Sequence, residues 1–155
     1  MTEREARQSV LELMETSEAA YLSTVDGDGC PHTRAMLNLR NKRQYPSLID
    51  LFAAHKADLL VYLTTNTSST KIEHIRANPA VCVYYCNPAQ FHGAMLGGAP
   101  EIVHNSQLKA AIWQEGWETS YPTGPNDPDH TVLRLAPKFA KGWRGEGRFE
   151  LKIDA

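Results

Sequence analysis

The sequence is short of the residues that would commit it to a specialised environment. Cysteine occurs three times, at Cys30, Cys82 and Cys86, an odd number with no CxxC spacing. A complete set of internal disulfides is therefore excluded, and reduced thiols in a cytoplasmic protein are expected. No apolar run approaches the roughly 20 residues of a membrane-spanning helix, and the N-terminus is charged rather than signal-like. Neither sign of charge dominates, since 16 basic residues face 18 acidic ones for a net charge of -2. Nucleic acid and membrane are accordingly not expected as partners. The basic cluster Arg40, Lys42 and Arg43 is short and reads as a solvated loop.

The motifs of several enzyme classes are missing too. There is no HExxH, no Walker-type glycine loop and no GxSxG. His32, His55, His74, His92, His104 and His130 are scattered, and each reads as structural or exposed. Cys82 and Cys86 lie four apart in a strand-like run, where core packing is expected over a metal site. No side chain is singled out as catalytic. Internal repeats and low-complexity tracts are absent as well.

What is present is an ordinary globular chain of 155 residues with 42% hydrophobic content, read as one domain over 1–155. A helix is expected over 2–17, because Thr2 and Glu5 have capping-box spacing and Ala6, Val10, Leu13 and Met14 form an apolar stripe. Residues 19–25 read as a strand, 26–29 as a tight hairpin turn, and 32–39 as the returning strand. In that strand Arg34, Met36 and Asn38 share one side. Arg34 either faces outward or pairs with an anion. A short helix is expected from about Ser47.

The most informative stretch follows. The apolar run 59–63 reads as a buried strand, and the hydroxyl-rich turn 64–71 leads into a helix over 72–78 that Pro79 stops. Lys71 in the first turn opposes the helix dipole unless an anion joins it at the unpaired N–H groups. The alternative is a serine cap at Ser68 or Ser69 with a solvated lysine. Further strands are expected over 80–86, 91–104, 131–137 and 139–145, with a final strand carrying Phe149, Leu151 and Ile153. Between them lie a helix over 105–117 and a Pro-, Gly- and Asp-rich loop over 117–130. A loop of that length covers a site or contacts another subunit.

The segment Leu63 to Lys71, its helix and the following Asn78-Pro79 resemble the flavin-phosphate segment of the pyridoxamine 5'-phosphate oxidase-like split-barrel flavoproteins. Pro31-His32-Thr33-Arg34-Ala35-Met36-Leu37 is similar to that family's arginine-bearing strand, and the stretch from Arg134 to Trp143 to its ending. The resemblance implies a mainly β split barrel with peripheral helices, binding FMN and pairing as a homodimer. It implies phosphate contacts from Arg34, Ser69, Thr70 and Lys71, and backbone of Ala35, Met36 and Leu37 along the flavin ring. Thr64 and Thr65 are the candidate donors to the ring's carbonyls. His92 falls where the family usually has a flavin-contacting glutamine, and Trp143 is either a contact to the flavin region or a core residue.

Two departures separate the chain from the true pyridoxamine 5'-phosphate oxidases. Thr70 stands where they carry an arginine, and the C-terminal Arg-x-His segment that holds their vitamin substrate is missing. The short length and the Trp143-Arg144-Gly145 ending are similar to the general stress protein branch. An FMN-dependent oxidoreductase acting on a small molecule is implied, with a nicotinamide as candidate electron donor. The alternatives are a flavin-binding stress protein without turnover, and a deazaflavin- or haem-binding relative.

Overall fold

The computed structural model describes residues 1–153. The chain opens with helix α1 (Glu3–Thr16), and Thr2 and Glu5 form the expected reciprocal cap. The helix buries Ala6, Val10, Leu13 and Met14 against the body of the protein. Among the described residues nine strands follow, in two antiparallel sheets. The larger sheet contains β1 (Ala19–Val25), β2 (Pro31–Leu37), β4 (Val81–Asn87), β5 (His92–Gly98), β8 (Phe139–Arg144) and β9 (Gly147–Lys152), in the order β2-β1-β4-β5-β8-β9. The smaller holds β3 (Val61–Asn66), β6 (Glu101–Ile102) and β7 (His130–Leu135), in the order β3-β7-β6.

The small sheet is apolar on both faces. Val61, Leu63, Leu133 and Leu135 join the main core beneath α1, whereas Leu60, Tyr62 and Val132 pack with Leu39, Leu48, Phe52 and Ile112 in a second cluster. Burial on both sides explains why the sequence here is a continuous apolar run rather than an alternation. The large sheet behaves differently. Val81, Val83 and Tyr85 on β4 point into the core, while Cys82, Tyr84 and Cys86 alternate to a half-exposed outer face. The two cysteines do share a face, but it is the outer one and not the core. All three cysteines are free thiols.

Helices α2 (Ile49–Ala53), α3 (Thr70–Ala77) and α4 (Ser106–Ile112) complete the fold. Several boundaries differ from expectation for local reasons. The buried Leu59 adopts a left-handed backbone with φ 54, so the strand begins at Val61 rather than at residue 59. Strand β2 stops at Leu37 because the Asn38 amide turns inward, donating to the carbonyls of Met14 (2.9 Å) and Ser17 (2.8 Å). The stretch 91–104 is not one strand. Pro100 has no N–H to offer a ladder, and the chain bends after Gly98, passing from the large sheet to β6 of the small one. The helix expected over 105–117 ends at Ile112, with Asn105 as its cap. No helix among the described residues is long and apolar enough to cross a membrane.

His92 begins β5 and faces α1, where its Nε2 lies 2.6 Å from the Ser9 hydroxyl. Both residues are buried. Burial, followed by the nearby Arg144 charge, pushes the imidazole below its ordinary value. The folded protein thus binds this proton less readily than the unfolded chain, and stability falls as pH drops through the ordinary imidazole value of 6.5. The buried His130 is lowered as well and contributes with the same sign. The urea midpoint should therefore fall between about pH 7.5 and 5.5, and His92→Gln should flatten part of that slope. An unchanged slope in the variant would show that His92 titrates alike in the folded and unfolded states.

Candidate functional site

A cleft of about 450 Å³ opens between β2, at the edge of the large sheet, and β3 of the small one. Its walls include Arg34, Ala35, Met36 and Leu37 from β2, and Thr64, Thr65 and Asn66 from β3. Lys71 enters from the first turn of α3. The alternation of β2 places Arg34 and Met36 on the sheltered side, while Ala35 and Leu37 stay exposed.

The Arg34 guanidinium is held by neutral oxygens. Its Nη1 donates to the Thr24 hydroxyl at 2.8 Å and to the His32 carbonyl at 3.0 Å. The Thr24 hydroxyl is in turn 2.9 Å from His74 Nδ1. Lys71 Nζ donates to the Thr65 hydroxyl at 2.8 Å. Among the described residues, neither cation has a carboxylate within ion-pair distance. Burial lowers the affinity of Arg34 for its proton. Burial first, and then the Arg34 charge, do the same to Lys71. Two half-buried cations that destabilise one another form a site suited to an anion.

The start of α3 adds a second sign of the same preference. Ser69 occupies the N-cap position, with φ -75 and ψ 151, yet its side chain makes no capping bond. Its Oγ is buried without any hydrogen-bond partner. A serine used simply as a cap would spend that oxygen on the helix N–H groups. The turn before it is clamped instead by Asp129, which accepts from the Ser68 N–H at 2.9 Å and the Asn66 amide at 2.8 Å. Thr70 begins the helix next to Lys71 and is exposed. An unpartnered hydroxyl beside two unpaired cations fits the phosphate of a cofactor such as FMN.

The expected site residues do not all converge. Arg34, Ala35, Met36, Leu37, Thr64, Thr65 and Lys71 line this cleft. Ser69 and Thr70 stand at the start of α3, just ahead of Lys71, but do not line its walls. His92 is instead packed under α1 against Ser9. Trp143 lies on the outer face of the large sheet beside Tyr84, their ring centroids 6.0 Å apart, in a separate groove with Met95 and Phe149. Within one chain these two residues stand apart from the anion cleft.

Other contributors were not visible in the sequence. Thr24 and His74 support Arg34 through a hydrogen-bond chain. Trp117, Ser120 and Tyr121 line the cleft from the loop after α4. Only the length and composition of that loop pointed to a role at a site. The loop is anchored by His130, whose Nδ1–H donates to the Pro125 carbonyl at 2.8 Å. The imidazole sits among the rings of Trp113, Trp117 and Tyr121, with centroids 5.3, 6.1 and 4.8 Å away. Tyr121 also donates to Asn66 Oδ1 at 3.2 Å, tying the loop to the end of β3.

Comparison with known proteins agrees with this architecture. A protein from Clostridium acetobutylicum related to general stress protein 26 of B. subtilis, of the pyridoxinephosphate oxidase family, is 28% identical, with a TM-score of 0.77 over 98% of this chain and 97% of that one. A pyridoxamine 5'-phosphate oxidase-related, FMN-binding protein from Nostoc punctiforme shares the fold at 14% identity and TM-score 0.65, over 97% of this chain and 90% of its own. An F420 reductase shares it at 24% identity and TM-score 0.56, over 83% and 93%. No curated protein matches the chain. Residues 5–153 match the family described as pyridoxamine 5'-phosphate oxidase like. With its split barrel of two antiparallel sheets and that match over nearly its whole length, the chain belongs to the pyridoxamine 5'-phosphate oxidase-like family.

Proposed function

We propose that the protein binds FMN in the cleft between β2 and β3 and acts as an oxidoreductase on a small molecule. The observation that carries this reading is the pair of uncompensated cations, Arg34 and Lys71, beside the unpartnered Ser69 hydroxyl. Arg34, Lys71 and Ser69 would hold the phosphate, and the β2 segment from Ala35 to Leu37 would lie along the ring. Thr64 and Thr65 offer hydroxyl donors from β3. Bound FMN would supply the redox chemistry, so no catalytic side chain of the protein's own is required. Trp117 and Tyr121 wall the cleft with aromatic surface. A nicotinamide is the proposed electron donor.

The purified protein should take up FMN with a perturbed flavin absorbance spectrum that survives gel filtration. Lys71→Ala should weaken binding by about 1.5–3 kcal/mol, on the order of 10- to 100-fold. No FMN uptake by the wild type would sink the reading. Uptake of deazaflavin F420 in its place would assign the cleft to the cofactor named in the F420 reductase neighbour. Failure of the loaded protein to bleach on adding a reduced nicotinamide would favour flavin binding without turnover from that donor.

We also propose a homodimer formed through the outer face of the large sheet. Tyr21, Leu37, Phe91 and Trp143 are all exposed, and the Trp143 groove continues across Tyr84 and Met95. Large apolar side chains left exposed around an open groove support its use as an interaction surface. Light scattering on the eluting protein should give twice the chain mass, and Trp143→Glu should shift it towards the single-chain mass. A wild-type protein that elutes with the mass of one chain would refute the pairing.

A further inference from the structure

The β1–β2 hairpin carries a second cluster of chemically competent side chains, outside the anion cleft. Asp26, Cys30 and His32 each offer one ligand atom, and these three atoms lie within 4.8 Å of one another. They represent the three ligand types, carboxylate, thiolate and imidazole, that borderline divalent ions of the zinc kind accept. We propose that the hairpin is a surface site for such an ion, with these residues as its protein ligands and water completing the coordination.

The local geometry prepares the cluster for this. Asp26 Oδ1 accepts from the backbone N–H groups of Asp28 and Cys30, each at 2.9 Å, so the turn itself fixes the carboxylate. That leaves Oδ2, which lies 2.7 Å from His32 Nε2. The carboxylate is therefore ionised and aimed at the imidazole before any ion arrives. His32 is steadied from its other side by His74, the ring centroids being 4.9 Å apart, while His74 Nδ1 is held by Thr24. Cys30 lies exposed at the start of the returning strand.

A tetrahedral ion with bonds of about 2.0–2.3 Å places its ligand atoms about 3.3–3.8 Å apart. The Cys30 sulfur must draw in from at most 4.8 Å while His32 Nε2 backs away from its 2.7 Å approach to Asp26, and the exposed Cys30 and His32 side chains can supply both movements by rotating. On binding, the ion replaces the hydrogen bond between Asp26 Oδ2 and the ring, which shifts its proton from Nε2 to Nδ1, and it takes the place of the thiol proton, which passes to solvent. No electron changes hands. A contrast within the same chain sharpens the assignment: His55 and Asp58 form a similar surface pair at 2.9 Å, but no cysteine joins them.

The test is competition for Zn2+ against a chromophoric chelator under reducing conditions, together with difference spectra on adding Co2+, whose bond to a thiolate gives a charge-transfer band. Wild-type protein should withdraw Zn2+ from the chelator and show the band with Co2+. Cys30→Ser should abolish the band, and Cys30→Ser or His32→Gln should each weaken Zn2+ binding by on the order of tenfold or more, since even outer partners of metal ligands cost that much. Cys82→Ser and His55→Ala should leave both signals unchanged. The assignment is overturned if the wild type shows no band and no competition. It is equally overturned if the band survives in Cys30→Ser or disappears in Cys82→Ser. Circular dichroism on each variant distinguishes loss of a ligand from loss of the fold, and a Cys30→Ser protein that keeps its fold and its Zn2+ affinity refutes the proposal outright.

Discussion

Arg34 and Lys71 are brought to the same cleft without an acid to neutralise either. This is an unfavourable arrangement for an isolated chain, because half-buried like charges raise one another's electrostatic energy. The fold sustains it by surrounding both cations with neutral oxygens, from Thr24 and the His32 carbonyl on one side and from Thr65 on the other. Those partners orient the charges without cancelling them. The remaining deficit of negative charge is what the proposed anionic ligand would use, and such a ligand would suit a lysine standing at the N-terminal end of a helix.

The same cleft depends on the contrast between the two sheets. The small sheet is packed on both faces, so β3 is a rigid wall against which Thr64, Thr65 and Lys71 can be positioned. The large sheet is covered on one face only, and its edge strand β2 contributes the opposite wall. The crossing after Gly98 joins the two sheets covalently, from β5 to β6. Gly97, just before that crossing, allows the Phe139 ring to lie against the backbone, where an added Cβ would come within 2.2 Å of ring carbon.

Much of this was legible in the amino-acid pattern because local interactions decide it. The Thr2–Glu5 cap, the 19–25 strand, the hairpin turn and the Asn105 cap all follow from short-range spacing. The cleft residues on β2 and β3 were legible for another reason, since the two stretches that carry them resemble the family's arginine-bearing strand and its flavin-phosphate segment. What escaped was set by tertiary contact. Asn38 ends β2 because carbonyls from α1 reach it, and Leu59 leaves the strand because a buried left-handed turn comes first. Thr24 and His74 are ordinary residues until the fold stacks them behind Arg34. His92 occupies a position that composition could not distinguish from a site, yet β5 turns it towards Ser9.

The loop that carries Trp117 and Tyr121 is not itself a strand; it is fastened to the small sheet by side-chain bonds, from His130 at the start of β7 to the Pro125 carbonyl and from Tyr121 to Asn66 at the end of β3. The cations, by contrast, come from regular elements of the barrel. The charged floor of the cleft and its aromatic wall are therefore encoded in separable parts of the chain. A lineage could rewrite this loop, exchanging one aromatic wall for another, and so change which molecules are admitted while the charged anchor beneath stays as it is.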